Sequence, residues 1–192
     1  EFTAGSLNTS YDGEEHRVSY QIAQGGTDSG LLSSHQAEVE LLNESQTFVG
    51  EYDVQITNAA IKAGSDDVTG NYDIKKNPGK IVITKAEGRN ITVRALDADK
   101  VYDGTALTNG SYEYDGTLFK GDVLTAVVNG SITEVSEVPV TGNNKVEDIR
   151  IEHGGKDVTE NYEITTSDGT LTINPRPVTF TAESKSFTYD GT

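Results

Sequence analysis

Hydrophobic and polar residues alternate with a period of two along most of this chain. In Gly169-Thr170-Leu171-Thr172-Ile173 the aliphatics alternate with Thr, and in Asn161-Tyr162-Glu163-Ile164-Thr165 Tyr and Ile alternate with polar residues. That period predicts strands with one buried and one wet face. Further strands are expected at Arg17–Ile22, Ala37–Leu42, Tyr52–Ile61, Ile91–Ala95, Val123–Val128, Ser131–Val135 and Val146–Ile151. Thr166-Ser167-Asp168 before Gly169, and Lys76-Asn77-Pro78 before Gly79, have turn chemistry, so each is expected to close a β-hairpin. No window offers a long amphipathic helical stripe; a short helix or turn is expected near Gly30–His35 or Thr117–Asp122. Many short strands separated by turns predict an all-β fold of small sandwiches, with a β-grasp-like α+β sheet carrying one short helix as the alternative.

Self-comparison reveals a repeat of about ninety residues. Asp67-Val68-Thr69-Gly70-Asn71-Tyr72-Asp73-Ile74 returns 90 residues later as Asp157-Val158-Thr159-Glu160-Asn161-Tyr162-Glu163-Ile164. The match runs without a gap from Ile61–Thr84 onto Ile151–Asn174, with ten of 24 positions identical. Tyr-Asp-Gly is a second landmark, at Tyr11, Tyr102 and Tyr189; the copy at Tyr114 breaks the period and reads as a turn within a repeat. Three segments follow: module one over 1–88, module two over 89–175, and a linker with the first strand of a third repeat over 176–192. Asn174-Pro175-Arg176-Pro177 is expected to be an extended spacer. The ending on Phe187-Thr188-Tyr189-Asp190-Gly191-Thr192 reads as the middle of a motif, so the chain is expected to be an excerpt of a longer protein, with Val178–Thr181 packed on repeat two or on a neighbouring chain. A 90-residue unit buries only a small core. Tyr72 and Tyr162 are expected in it, each hydroxyl reaching a backbone acceptor, with Asp67, Asp157, Asn71 and Asn161 as side-chain-to-backbone turn formers.

Composition narrows the chemistry. The 192 residues include 15 Lys and Arg against 31 Asp and Glu, a formal charge of −16, and no Cys, Met or Trp. The missing Cys excludes disulfides, zinc–thiolate sites, iron–sulfur clusters and a thiol nucleophile. The charge argues against nucleic acid and anionic membranes as partners. It is shared between the halves, with 7 basic and 14 acidic residues over 1–90 and 8 and 17 over 91–192. This is the pattern of acidic modules that repel one another.

Candidate chemistry is sparse. Asp97-Ala98-Asp99 with Asp103 could offer oxygens to Ca²⁺, but Tyr102 stands where an EF-hand needs Gly and Thr108 where it needs Glu, so a solvated turn is the reading. His16, His35 and His153 are not at zinc spacing. Asp28-Ser29-Gly30 has the look of an aspartic-protease triplet, but that chemistry needs two carboxylates sharing a proton and there is no second triplet. The Gly25-Gly26-Thr27 before it is also not an apolar strand. A Lys–Asn isopeptide crosslink lacks a recurring Lys: Lys62 matches Glu152 and Lys100 matches Thr9. The sequons at Asn8, Asn43, Asn90, Asn109 and Asn129 are read as chance, and Tyr112 and Tyr114 as packing residues rather than sugar-stacking ones. No catalytic, metal or cofactor-binding residue is expected.

Repeat two reads Lys100-Val101-Tyr102-Asp103-Gly104-Thr105, then Gly121-Asp122, Thr141-Gly142, Asn161-Tyr162-Glu163-Ile164 and Gly169-Thr170-Leu171-Thr172-Ile173-Asn174-Pro175. This order resembles the YDG/MBG-type tandem repeats, Ig-like or β-grasp-like modules of large bacterial surface proteins and adhesins. Repeat one departs from it, with Glu14 after Tyr11-Asp12-Gly13 and no mid-repeat Gly-Asp. The resemblance implies an extracellular, cell-surface or cell-wall location and a non-enzymatic stalk, or else an adhesive module for host glycan or protein. The expected chain is a monomer of modules in an elongated array, in contact with neighbouring repeats, without cofactor, nucleic acid or membrane contact in this segment.

Overall fold

The computed structural model describes residues 1–23, 28–135 and 141–191; Gly25-Gly26-Thr27 and Thr192, discussed above, lie outside them. The chain is mainly β. In the first half the strands are β1 Phe2–Ala4, β2 Leu7–Ser10, β3 His16–Arg17, β4 Tyr20–Ile22, β5 Gln36–Leu42, β6 Ser45–Gln46, β7 Gly50–Ala63, β8 Asp66–Asp67, β9 Lys76–Asn77 and β10 Gly79–Thr84. The second half holds β11 Asn90–Ala95, β12 Ala98–Val101, β13 Tyr112–Asp115, β14 Asp122–Asn129, β15 Lys145–His153, β16 Lys156–Asp157, β17 Glu163–Ser167 and β18 Leu171–Asn174. There is no α-helix among the described residues, so the helix expected near Gly30–His35 or Thr117–Asp122, and needed by the β-grasp alternative, does not form there; two 3₁₀ turns occur instead, at Thr69–Asn71 and Thr159–Asn161.

The sheets are small and several are mixed. Their orders are β4-β1-β9, β2-β10-β7-β5 with β8 on β7, β13-β11-β17, β12-β18, β14-β15-β16 and β3-β6. β10 runs antiparallel to β7 and parallel to β2, and β12 runs parallel to β18. The expected terminal hairpins are therefore corrected: β9 and β10 fall in different sheets, as do β17 and β18. The glycines explain it. A Cβ on Gly169 would lie 2.7 and 2.8 Å from the carbonyl oxygens of Ala95 and Leu96, and one on Gly79 would collide with those of Ala4 and Gly5. Each glycine admits a close backbone crossing rather than a tight reversal.

The strands form compact units assembled from separated segments. Unit one takes Glu1–Ile91, Asp115–Thr125 and Ile149–Thr165; unit two takes Thr92–Tyr114, Ala126–Asp148 and Thr166–Thr192. In unit one, Phe2, Val54, Ile61, Ile81, Ile83 and Ile151 are all 3% exposed or less. Each such aliphatic contributes about 1.5–3 kcal/mol of burial. Along β7 the buried positions pass from Val54 and Ile56 to Ala59 and Ile61, a one-residue change of phase. It occurs where β5 slips register between Glu40 and Leu41, a bulge that keeps both halves of the strand facing the core. In unit two, Val93, Leu171 and Ile173 are buried, and so is Asn144, whose Nδ2 donates to the carbonyls of Leu96 (2.9 Å) and Asn109 (3.0 Å).

The repeat has a structural counterpart. Thr69 Oγ1 accepts from Ile61 N–H at 2.8 Å and Thr159 Oγ1 from Ile151 N–H at 2.8 Å. Val68 N–H donates to Ile61 O at 2.9 Å, as does Val158 to Ile151. Asp67 Oδ1 accepts from Thr69 N–H at 3.0 Å and Asp157 Oδ1 from Thr159 N–H at 2.9 Å, the turn-forming role expected of both. Residues 175–191 form no strand and are exposed, Val178 at 68% and Phe180 at 92%, so the packing of Val178–Thr181 on repeat two is not seen.

Candidate functional site

A buried polar cluster lies within unit one and begins at the first Tyr-Asp-Gly. Tyr11 directly follows β2, and its N–H donates to Thr84 O at 2.9 Å. Asp12 Oδ1 then accepts from Glu14 N–H at 2.9 Å, and Gly13 turns the chain at φ +78°. Gly13 fits closely: a Cβ there would lie 2.6 Å from Lys120 O and 3.0 Å from Phe119 Cβ. This turn delivers the Tyr11 ring, 1% exposed, to the start of β14.

Asp122 is the hub. Its side chain is fully buried, with Oδ1 accepting the Tyr11 hydroxyl at 2.8 Å and lying 2.7 Å from His153 Nδ1. Oδ2 accepts the Tyr162 hydroxyl at 2.6 Å. The Tyr162 oxygen in turn accepts from Phe119 N–H at 2.8 Å. Phe119 packs edge-on to Tyr11 at 5.4 Å, and the Arg89 guanidinium lies 4.2 Å above its ring. Burial, then the bond to Asp122, pushes both tyrosine hydroxyls well above the ordinary phenol value. Both remain neutral donors at physiological pH, so the cluster offers no phenolate nucleophile; it ties three segments of unit one to one carboxylate. The expected backbone acceptors are thus corrected: the Tyr162 hydroxyl donates to Asp122 and accepts a backbone N–H, while Tyr72 is only half-buried and its hydroxyl meets His35 Nδ1.

A second, open version of this arrangement lies near the start of β5. His35, just before β5, places Nδ1 2.7 Å from the Tyr72 hydroxyl, as Asp122 at the start of β14 meets Tyr162. Here a cavity of about 840 Å³ opens, lined by Phe2, Leu31, Leu32, His35, Tyr72 and Ile74 among others.

The other candidate residues are not brought together. Asp97 Oδ1 accepts from Thr170 N–H at 2.6 Å, Asp99 Oδ2 from Asn174 Nδ2 at 3.3 Å, and Asp103 Oδ1 from Lys100 Nζ at 2.7 Å. Among the described residues no group of three or more His, Asp or Glu is arranged to hold a metal ion. His16 sits 3.0 Å from Asp12. Lys62 pairs with Asp67 at 3.0 Å, and Asn161 is buried with Oδ1 unpartnered in the protein. Asp28 is exposed at the rim of the His35 cavity, and Tyr114 is 43% exposed on β13.

Tyr11, Asp122 and His153 were missed as a group by sequence reasoning. The available signal was that Tyr-Asp-Gly, Gly-Asp and Asn-Tyr each recur or form part of the repeat motif. A comparison with protein-family models finds no match, and a comparison with curated proteins finds none.

Proposed function

We propose that this chain is a non-enzymatic structural segment of tandem β-sandwich, Ig-like repeats, spacing a distal domain from the surface of a bacterial cell. The modules are those of residues 1–88 and 89–175, with 176–192 opening a third, in an elongated, cofactor-free array. The observation that carries this reading is the repeated turn: the same Asp–Thr–Ile bonds recur 90 residues apart, while the polar groups of the buried cluster are spent on one another. A repeat that conserves its turns and not a chemical cluster is the expectation for a spacer. No helix among the described residues is long and apolar enough to cross a membrane.

A second reading is an adhesive module for host glycan or mucin acting through multivalency. Tyr114, exposed on β13 between Glu113 and Asp115, is the residue that favours it. A glycan and mucin array probed with one repeat and with several decides between them. The spacer reading expects no binding at either valency. Binding that rises with repeat number overturns it in favour of adhesion.

A further inference from the structure

The Tyr11 cluster defines a plug and a socket, and among the described residues the chain carries a second of each. The plug is a Tyr-Asp-Gly turn after a strand paired in parallel. Tyr102 follows β12 as Tyr11 follows β2. In register Leu7 faces Ile81 and Ala98 faces Leu171, and the Tyr N–H groups donate to Thr84 O (2.9 Å) and Asn174 O (2.8 Å). Asp12 accepts from Glu14 N–H and Asp103 from Thr105 N–H, both at 2.9 Å, while Gly13 and Gly104 share φ of +78° and +83°. The two turns therefore have one backbone form. Their surroundings differ. Gly13 is packed against Lys120 and Phe119, whereas a Cβ on Gly104 would meet nothing within 4 Å.

The socket repeats as well. Around Tyr11 it consists of the Asn-Tyr tyrosine, Tyr162, and a polar residue opening the adjacent strand, Asp122. The His35–Tyr72 pair has the same relation, and a cavity of about 840 Å³ stands beside it. Apolar Phe2, Leu32 and Ile74 can receive a ring, and in the tautomer whose Nδ1–H donates to the Tyr72 oxygen the His35 Nε2 is left to accept a phenol O–H.

We propose that the Tyr102-Asp103-Gly104 turn of one copy of this chain docks into the His35–Tyr72 cavity of a second copy, its phenol taking the place that Tyr11 takes beside Asp122 and Tyr162. The inference rests on the tandem-repeat reading and names how one repeat grips another. Plug and socket are different surfaces, so the contact is head-to-tail and builds open chains rather than a closed dimer. It departs from the monomer expected from the sequence.

Sedimentation of the full chain up to about 1 mM tests it. The wild type should grow in average mass with concentration. Tyr102→Ala and Gly104→Ala remove or block the plug, and Leu32→Asp places a charge at the cavity. Each should weaken self-association at least about tenfold. Mixing Tyr102→Ala with Leu32→Asp should restore one plug and one intact socket per pair, giving a one-to-one dimer and no longer species. A wild type monomeric throughout, a variant that associates like the wild type, or a mixture that stays monomeric would overturn the proposal. None of those results bears on whether the modules of one chain lie end to end, which scattering on the dilute chain reports separately.

Discussion

Gly13 and Gly104 occupy the same place in the same tripeptide and have nearly the same φ, yet only Gly13 is enclosed. Alanine at Gly104 meets only the left-handed backbone penalty, about 1 kcal/mol. Alanine at Gly13 adds a collision with Lys120 O and should cost about 3 kcal/mol. Urea unfolding of the two variants measures the difference; equal losses would mean that Gly13 is not held against Phe119 and Lys120. The same pair marks what was legible in the sequence. Tyr-Asp-Gly stood out by repetition, but its partner Asp122 lies 111 residues from Tyr11. No local period encodes a bond of that span. Asp122 carried only the weak signal of its Gly-Asp in the order of motifs along repeat two.

At the scale of elements, the long strands were readable and the short ones were not. β5, β7, β11, β14 and β15 stand where strands were expected; β5 and β11 alternate cleanly, whereas β7 changes phase and Val123 and Val127 on β14 are exposed. Arg17–Ile22 splits into β3 and β4, and Ser131–Val135 retains only a bridge from Ile132 to Leu107. β1, β2, β12 and β13 were missed, Tyr114 and Asp115 lying in a strand rather than the expected turn, because three or four residues carry too little apolar contrast to show a period. The 3₁₀ turns depend on side-chain bonds, and these titrate. Thr69, then Lys62, lowers the Asp67 carboxyl to about 2, and Thr159 lowers Asp157. A carboxylate depressed in the folded state stabilises it fully above its unfolded value of about 3.9. That contribution is lost as pH falls through the folded value. The melting temperature should thus drop between about pH 4 and pH 2. The doubly substituted Asp67→Asn, Asp157→Asn chain should show a shallower drop, and an unchanged slope would contradict the role given to these turns.

For the whole molecule, a charge of −16 spread over both halves and no cysteine leave the fold to be held by small cores built from distant segments. Buried tyrosines bonded to Asp122 tie segments of both sequence repeats into unit one without disulfides, since Tyr11 belongs to the first sequence repeat and Asp122 and Tyr162 to the second. A spacer needs its modules end to end. Small-angle scattering of the dilute chain tests that most directly. Two touching modules of about 90 residues give a radius of gyration of about 20 Å, and one compact body of this length gives about 16 Å. The spacer account predicts about 20 Å or more; a value near 16 Å would contradict it.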